Sequence, residues 1–233
     1  MNASRTARER VRAELTREIT DVARGQLATE GAAQLSLRAV AREMGLVSSA
    51  IYRYFPSRDD LLTALIVDGY SAIGEVAENA DAAVPAGDYA SRWLAVCRAV
   101  RDWALAHPHE YALVYGSPVP GYQAPQQTIG PATRAAAVFG KIVSDAYQAG
   151  ALRPPGLCPP PPGPFAADAA GLRDSVLAGV PDEVIAAALA AWTALFGMIS
   201  FELFGQFENV ITDRAAFFEY TANCLGRMVG LAG

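Results

Sequence analysis

Lysine is almost missing from this chain: among 19 basic residues, Lys141 is the single one that is not arginine. With alanine so frequent, that bias reads as a GC-rich coding sequence rather than as chemistry. Cysteine is scarce as well. Cys97, Cys158 and Cys224 are odd in number and far apart, which argues against a disulfide frame or a zinc site and fits free thiols in a reducing compartment. The two histidines, His107 and His109, stand two apart around Pro108. Helical metal ligands favour three- or four-residue spacing, and no acid or cysteine cluster lies nearby, so no metal is expected. GxSxG, P-loop and GxGxxG motifs are all missing, so nucleophilic and nucleotide chemistry have no anchor, and neither an enzyme nor a cofactor is expected. No uninterrupted apolar run reaches ~18 residues, so a membrane span is not expected. Residues 1–18 are charged throughout and lack an apolar signal core, so the chain is expected to stay in the cytoplasm.

What is present is a chain of 233 residues, 52% hydrophobic and 18% charged. That is too apolar for disorder and long enough for two modest helical domains or one large one. The net charge of −5 argues against a nucleic-acid partner until its distribution is seen. Residues 1–58 carry ten arginines against six acids, a balance of +4, which leaves −9 for the remainder. A basic head on an acidic body fits one DNA-facing end.

The chain is organised around Leu35–Leu62, LSLRAVAREMGLVSSAIYRYFPSRDDLL. Ser36 is placed to cap a short helix. Leu37, Val40, Ala41 and Met44 repeat at helical spacing and give one buried stripe. Gly45 ends that helix, where positive φ is often required. Leu46 and Val47 are expected to fill the corner, and Ala41 and Gly45 to sit where the two helices cross closely. Ser48 is expected to cap a second short helix carrying Ala50, Ile51, Tyr52, Tyr54 and Phe55, which Pro56 terminates. Two short helices joined by a tight glycine turn make a helix-turn-helix. The outer face of the second helix carries Ser48, Ser49, Ala50, Tyr52, Arg53 and Tyr54, groups suited to a major groove. The alternative is a helical hairpin in a larger bundle, with surface tyrosines.

The run from Leu46 to Leu62 resembles the DNA-binding signature of TetR-family transcriptional regulators: a valine-serine turn, a tyrosine, then His or Tyr, Phe, and a basic residue before Leu-Leu. The resemblance covers roughly residues 1–70. Arg58 stands where the family often has lysine; both bind phosphate, Arg as a fork and Lys as a point charge. The resemblance implies that Arg38, Ser48, Ser49 and Ala50 face bases and that Ser36, Tyr52, Tyr54 and Arg58 hold phosphates, with Arg53 on the same face. It also implies a homodimer on a near-palindromic operator, most simply a repressor released by a small-molecule effector.

Around this motif, residues 1–7 read as a polar arm in which Arg5 reaches a groove or phosphate, or as a frayed tail. Val11, Leu15, Ile19, Val22, Ala23 and Leu27 mark an amphipathic helix over Arg8–Glu30, closed by Gly31. Ser57 caps a long helix to about Asn79, with Asp59 and Asp60 in its first turn. Further helices are expected over residues 88–106, 109–115, 131–150, 183–206 and 213–229. A Pro/Gly loop carrying Tyr122 spans residues 116–125. The Pro-rich stretch 153–164 excludes a helix or central strand; it reads as a surface linker, with a polyproline ligand as the alternative.

Trp103, Tyr111, Tyr115, Tyr122, Trp192, Phe196 and Phe201 are many aromatics for one bundle. They fit core packing, or the walls of a ligand cavity between helices. Residues 191–205, AWTALFGMISFELFG, resemble a TetR subgroup with a Trp-x-x-x-His-Gly signature. Trp192 and Gly197 match, and Phe196 replaces the histidine, which implies an apolar or aromatic effector. The stretch from Trp103 to Pro125 resembles the same subgroup.

The expected fold is therefore all-α. A three-helix DNA-binding head occupies residues 8–56 (motif 37–56), and a larger effector-binding and dimerisation domain residues 57–233. Ala187, Ala190, Ala191, Ala194 and Gly197 keep one helix side narrow, and Phe217, Phe218, Leu225 and Met228 supply apolar area, so the last two helices are expected to form the dimer contact. The rivals are a helical small-molecule-binding or chaperone-like protein whose head is only structural, and an enzyme working in the aromatic cavity.

Overall fold

A computed structural model describes residues 2–153 and 161–231, with side chains described from Arg8 onward. Ten α-helices follow one another among the described residues: α1 Asn2–Glu30, α2 Leu37–Glu43, α3 Ser48–Ile51, α4 Arg58–Ala82, α5 Tyr89–Ala106, α6 Pro108–Tyr115, α7 Ile129–Gln148, α8 Phe165–Arg173, α9 Asp182–Leu203 and α10 Arg214–Val229. Among the described residues there is no strand, only one isolated bridge between Leu152 and Leu231. The all-α expectation holds.

The helices divide between two compact units. The first holds the residues up to Gly69 together with His107–Ile129; the second holds Tyr70–Ala106 and the described residues from Gly130 onward. The helix α4 is continuous across the division. The expected boundary at residue 57 thus differs from the observed one, because α6 and the loop after it pack with the head.

In the first unit, Ile19, Ala23, Leu27, Leu35, Leu37, Val40, Ala41, Ile51, Phe55, Leu61, Leu62 and Leu65 make one apolar core. Most are delivered by helical spacing: α1 gives i, i+4, i+8, and α4 gives Leu61, Leu62 and Leu65, while Leu35 and Phe55 come from the segments beside α2 and α3. Fully burying a side chain such as Ile51 contributes roughly 1.5–3 kcal/mol. Leu113 of α6, with Val119 and Tyr122 of the following loop, packs on the same core. Where an arm was expected, α1 already begins at Asn2. The side chain of Arg5 lies outside the described residues.

In the second unit, α9 packs on α5, α8 and α10. This helix is apolar enough, with a mean hydropathy of 2.0, and long enough, at 22 residues, to cross a membrane by length and composition alone. Here Val184, Ile185, Ala187, Ala191, Leu195, Phe196, Met198 and Ile199 are buried against its neighbours, as in the core helix of a bundle. The short helix α8 was not expected from the sequence. Of the Pro-rich stretch, residues 154–160, Cys158 among them, lie outside the described residues.

Several local signals act as their chemistry suggests. The Ser36 hydroxyl accepts a bond from the Ala39 amide at 3.5 Å. The Ser57 hydroxyl accepts from the Asp60 amide at 3.1 Å and donates to the Asp60 carboxylate at 2.6 Å, closing the first turn of α4. The Asp213 carboxylate accepts from the Ala216 amide at 2.8 Å and starts α10.

Candidate DNA interface and candidate effector cavity

The turn between α2 and α3 departs from its expected form in three respects. Gly45 has φ 67°, and a Cβ built there meets nothing within 4 Å. The glycine therefore serves the left-handed backbone and not a close helix crossing. Leu46 donates its amide to the Ala41 carbonyl at 2.8 Å, which closes α2, and its side chain packs on the head core. Val47 does not fill the corner; it is 71% exposed. It also takes the N-cap position of α3, with extended backbone and no side-chain bond. Ser48, expected to be the cap, is instead the first residue of α3.

From there α3 is anchored by Ile51 (0% exposed) and Phe55 (6% exposed), one turn apart. This leaves Ser48, Ser49, Tyr52 and Arg53 exposed, with Ala50 and Tyr54 half-buried. Arg38 is exposed at the start of α2, and Ser36 half-buried just before it. Eight of the nine candidate DNA-contacting residues therefore lie on α2, on α3 or in the residues directly flanking them.

The ninth, Arg58, is engaged within the head. Its Nε donates to the Leu35 carbonyl at 3.1 Å, and its Nη2 to the carbonyls of Ala32 at 2.8 Å and Ala33 at 3.2 Å. Those three acceptors form the α1–α2 connection, so Arg58 ties that loop to the start of α4. A lysine has no planar fork for three carbonyls. Nη1 pairs with the Asp59 carboxylate at 3.7 Å.

Arg12 was not among the candidates. Its Nη2 donates to the Arg53 carbonyl at 3.2 Å, and its guanidinium lies 5.3 Å from the Tyr54 ring centroid. Arg53 directly follows Tyr52, the C-cap of α3, so this bond from α1 holds the turn in which α3 ends. Helical periodicity marks position 12 as exposed but says nothing about what an exposed arginine touches.

The second unit contains an apolar cavity of about 100 Å³, lined by Trp93 of α5, Ala136, Phe139, Gly140 and Val143 of α7, Leu172, Val176 and Leu177 in and after α8, and Ala188, Leu189 and Trp192 of α9. None of the described residues that line it is titratable. The Phe139 ring stands edge-on to both indoles, at 4.9 Å from Trp93 and 5.7 Å from Trp192. Gly140 allows the chain after α8 to close on α7, since a Cβ there would stand 2.0 Å from the Val176 carbonyl oxygen.

Of the seven candidate effector residues, Trp192 lines this cavity. Phe196 backs it, its ring centroid 4.3 Å from that of Trp192. Trp103 is buried and Phe201 is 53% exposed. Tyr111, Tyr115 and Tyr122 belong to the first unit; Tyr111 is fully buried, with Tyr115 at 5.1 Å between ring centroids.

Beside the cavity helices, the buried guanidinium of Arg92 is held by Asp81 (Nε–Oδ1 2.7 Å, Nη2–Oδ2 3.1 Å), Asp145 (3.0 Å) and the Ala86 carbonyl (3.0 Å). The Asp81 bonds, more than Asp145, push its pKa up against the opposing effect of burial. Burial also tends to raise the Asp145 carboxyl, but bonds from Lys141 and Arg92 outweigh it and hold the group below its ordinary value. The end of α4 is thus clamped to α5 and α7. Burial pushes the Cys97 thiol far up, which keeps it protonated and unreactive.

The profile described as bacterial regulatory proteins of the tetR family matches residues 19–65, and the tetracyclin repressor-like C-terminal domain matches residues 93–225. The HTH-type transcriptional regulator Rv1816 of Mycobacterium tuberculosis is 39% identical over 217 residues, covering 92% of this chain and 90% of its own. Among solved structures, the regulatory protein SCO4313 is 36% identical with a TM-score of 0.76, over 93% of this chain and 97% of its own. A Rhodococcus sp. RHA1 protein of unknown function, 24% identical over 93% of this chain and 95% of its own, shares the fold with a TM-score of 0.70. The helix-turn-helix head, the helical second unit and these matches together make the chain a member of the TetR family of DNA-binding transcriptional regulators, proteins that bind operator DNA and dimerise.

Proposed function

We propose that the chain is a cytoplasmic homodimeric repressor, released from its operator when an uncharged apolar or aromatic molecule enters the second unit. The observation that carries this reading is the cavity between α5, α7, α8 and α9: about 100 Å³, walled by two indoles and a phenyl ring, with no charged group among the described residues that line it. Trp192 is the candidate effector contact that this cavity supports, with Trp93 and Phe139 added and Phe196 behind it. We assign the protein no catalysis.

On the DNA side, Arg38, Ser48, Ser49, Ala50 and Arg53 are assigned to base edges, and Ser36, Tyr52, Tyr54 and Arg58 to phosphates. Base contacts specify and phosphate contacts position. Recognition helices from two subunits would occupy successive major grooves, ~34–36 Å apart. Because α4 is one helix shared by both units, it is the element assigned to carry the signal between ligand and DNA. A ligand releases the operator only through differential affinity for the two forms.

The test starts from a duplex selected by the purified protein from a randomised pool. Uncharged planar compounds are then screened for a rise in melting temperature and for loss of duplex affinity, with an Ala188→Leu variant as control. The larger side chain occupies the cavity from α9. Compounds that do both in the wild type and neither in the variant support the proposal. Compounds that stabilise the protein but leave duplex affinity unchanged refute ligand release, and compounds acting equally on the variant refute the cavity.

A further inference from the structure

We propose that Val47 is a base-reading residue, placed to pack against the C5-methyl group of a thymine in the major groove. Two observations carry this. Val47 is a large apolar side chain left 71% exposed at the start of the recognition helix α3, directly before the exposed Ser48 and Ser49. It also takes the N-cap position, with φ −71° and ψ 138°, and makes no capping bond. Valine is among the poorest residues for that position, where a serine or threonine hydroxyl would hold a free amide. Exposed apolar residues are common on protein surfaces, but here neither burial nor a capping bond accounts for the valine. Its two methyl groups make no hydrogen bond, so on DNA they have one distinctive partner: the thymine methyl, the apolar group that the major groove displays.

Removing the methyl from the base isolates the contact. The wild-type protein first selects a duplex from a randomised pool; enrichment of a consensus reports DNA recognition itself, independently of Val47. Each thymine of that duplex is then replaced in turn by uracil, which differs only in lacking the C5-methyl. For wild type, one thymine per half-site should be sensitive, its replacement weakening binding about fourfold, the transfer value of one methyl-sized group. In Val47→Ser and Val47→Asn proteins, which carry no methyl group at that position, the thymine and uracil duplexes should bind alike at that base. Val47→Ser also supplies a capping hydroxyl, so its melting temperature should equal or exceed that of wild type. The proposal is overturned if no thymine is methyl-sensitive, if the sensitivity persists in either variant, or if Val47→Ser melts lower, which would show the valine serving the fold.

Discussion

The phenol of Tyr122 and the hydroxyl of Thr63 lie 2.8 Å apart across 59 residues of sequence. Thr63 sits on α4, 5% exposed, and Tyr122 on the Pro/Gly loop after α6. That bond, with Leu113 and Val119 on the same core, is why residues 107–129 belong to the head's compact unit.

The first prediction concerns this pair. A half-buried hydroxyl pair contributes about 1 kcal/mol, and losing one partner leaves the other unsatisfied. Tyr122→Phe and Thr63→Val should each lower stability in urea unfolding. The double variant should cost less than the sum of the singles by about 0.5–1.5 kcal/mol. Strict additivity would show that the two groups do not act on each other in solution.

A second prediction separates the two jobs open to an arginine near DNA. If Arg12 holds α3 through the Arg53 carbonyl, Arg12→Ala should weaken the selected duplex about fivefold per half-site, the value of one hydrogen bond. The slope of affinity against salt should not change. Arg12→Gln keeps an amide donor and should stay near wild type. A direct phosphate contact would instead reduce the slope by about one per subunit in both variants. Arg38→Ala should behave differently from either, relaxing base preference by about 1–3 kcal/mol at one position.

How much of this was legible depends on the range of the interaction. Ser36, Gly45 and Ser57 could be read because a cap or a positive φ involves only the next few residues. The α3 cap was misread by one position. Ser48 is the better capping residue, but the Leu46 amide bonding back to Ala41 makes Val47 the extended residue. Helix α8 has an alanine-rich sequence with little periodic contrast and no capping side chain at Pro164. The aromatic set was divided for another reason. Periodicity says that Tyr111 and Trp192 are buried, not against what, and only the packing of α6 on the head and of α7 and α8 on α9 separates them.

The third prediction is a pH dependence. Asp145 is held below its ordinary value, so its contribution to stability is present in full above the unfolded value near 3.8 and is lost as pH falls toward and through the depressed one. The stability gap between wild type and Asp145→Asn, measured by urea unfolding, should be constant above that region and close below it. A gap independent of pH would mean that the contacts to Lys141 and Arg92 do not persist in solution.

The last prediction concerns the dimer, and here the fold changes which substitutions are informative. Ala187 and Ala191 are buried within their own chain, at 4% and 0%, so a glutamate at Ala191 would bury a charge and unfold the subunit rather than probe an interface. One face of α9 is different. Ala190, Ala194 and Gly197 are exposed, as are Phe201 at 53% and, just beyond the helix, Phe204 at 48%. A Cβ built at Gly197 meets nothing within 4 Å. Small residues followed by phenylalanines, with no charge among them, form a face that a second copy can approach closely. Ala194→Glu with Gly197→Glu should keep the fold, since both positions have room and glutamate is a good helix former. In a two-fold contact the pair sets like charges against themselves. The variant should run as a monomer by light scattering, with an unchanged helical spectrum. It should lose most operator affinity, and its salt slope should fall to about half, because one subunit engages half the phosphates. An unchanged dimer mass would place the interface on another surface, and a monomer with full operator affinity would remove the need for two recognition helices.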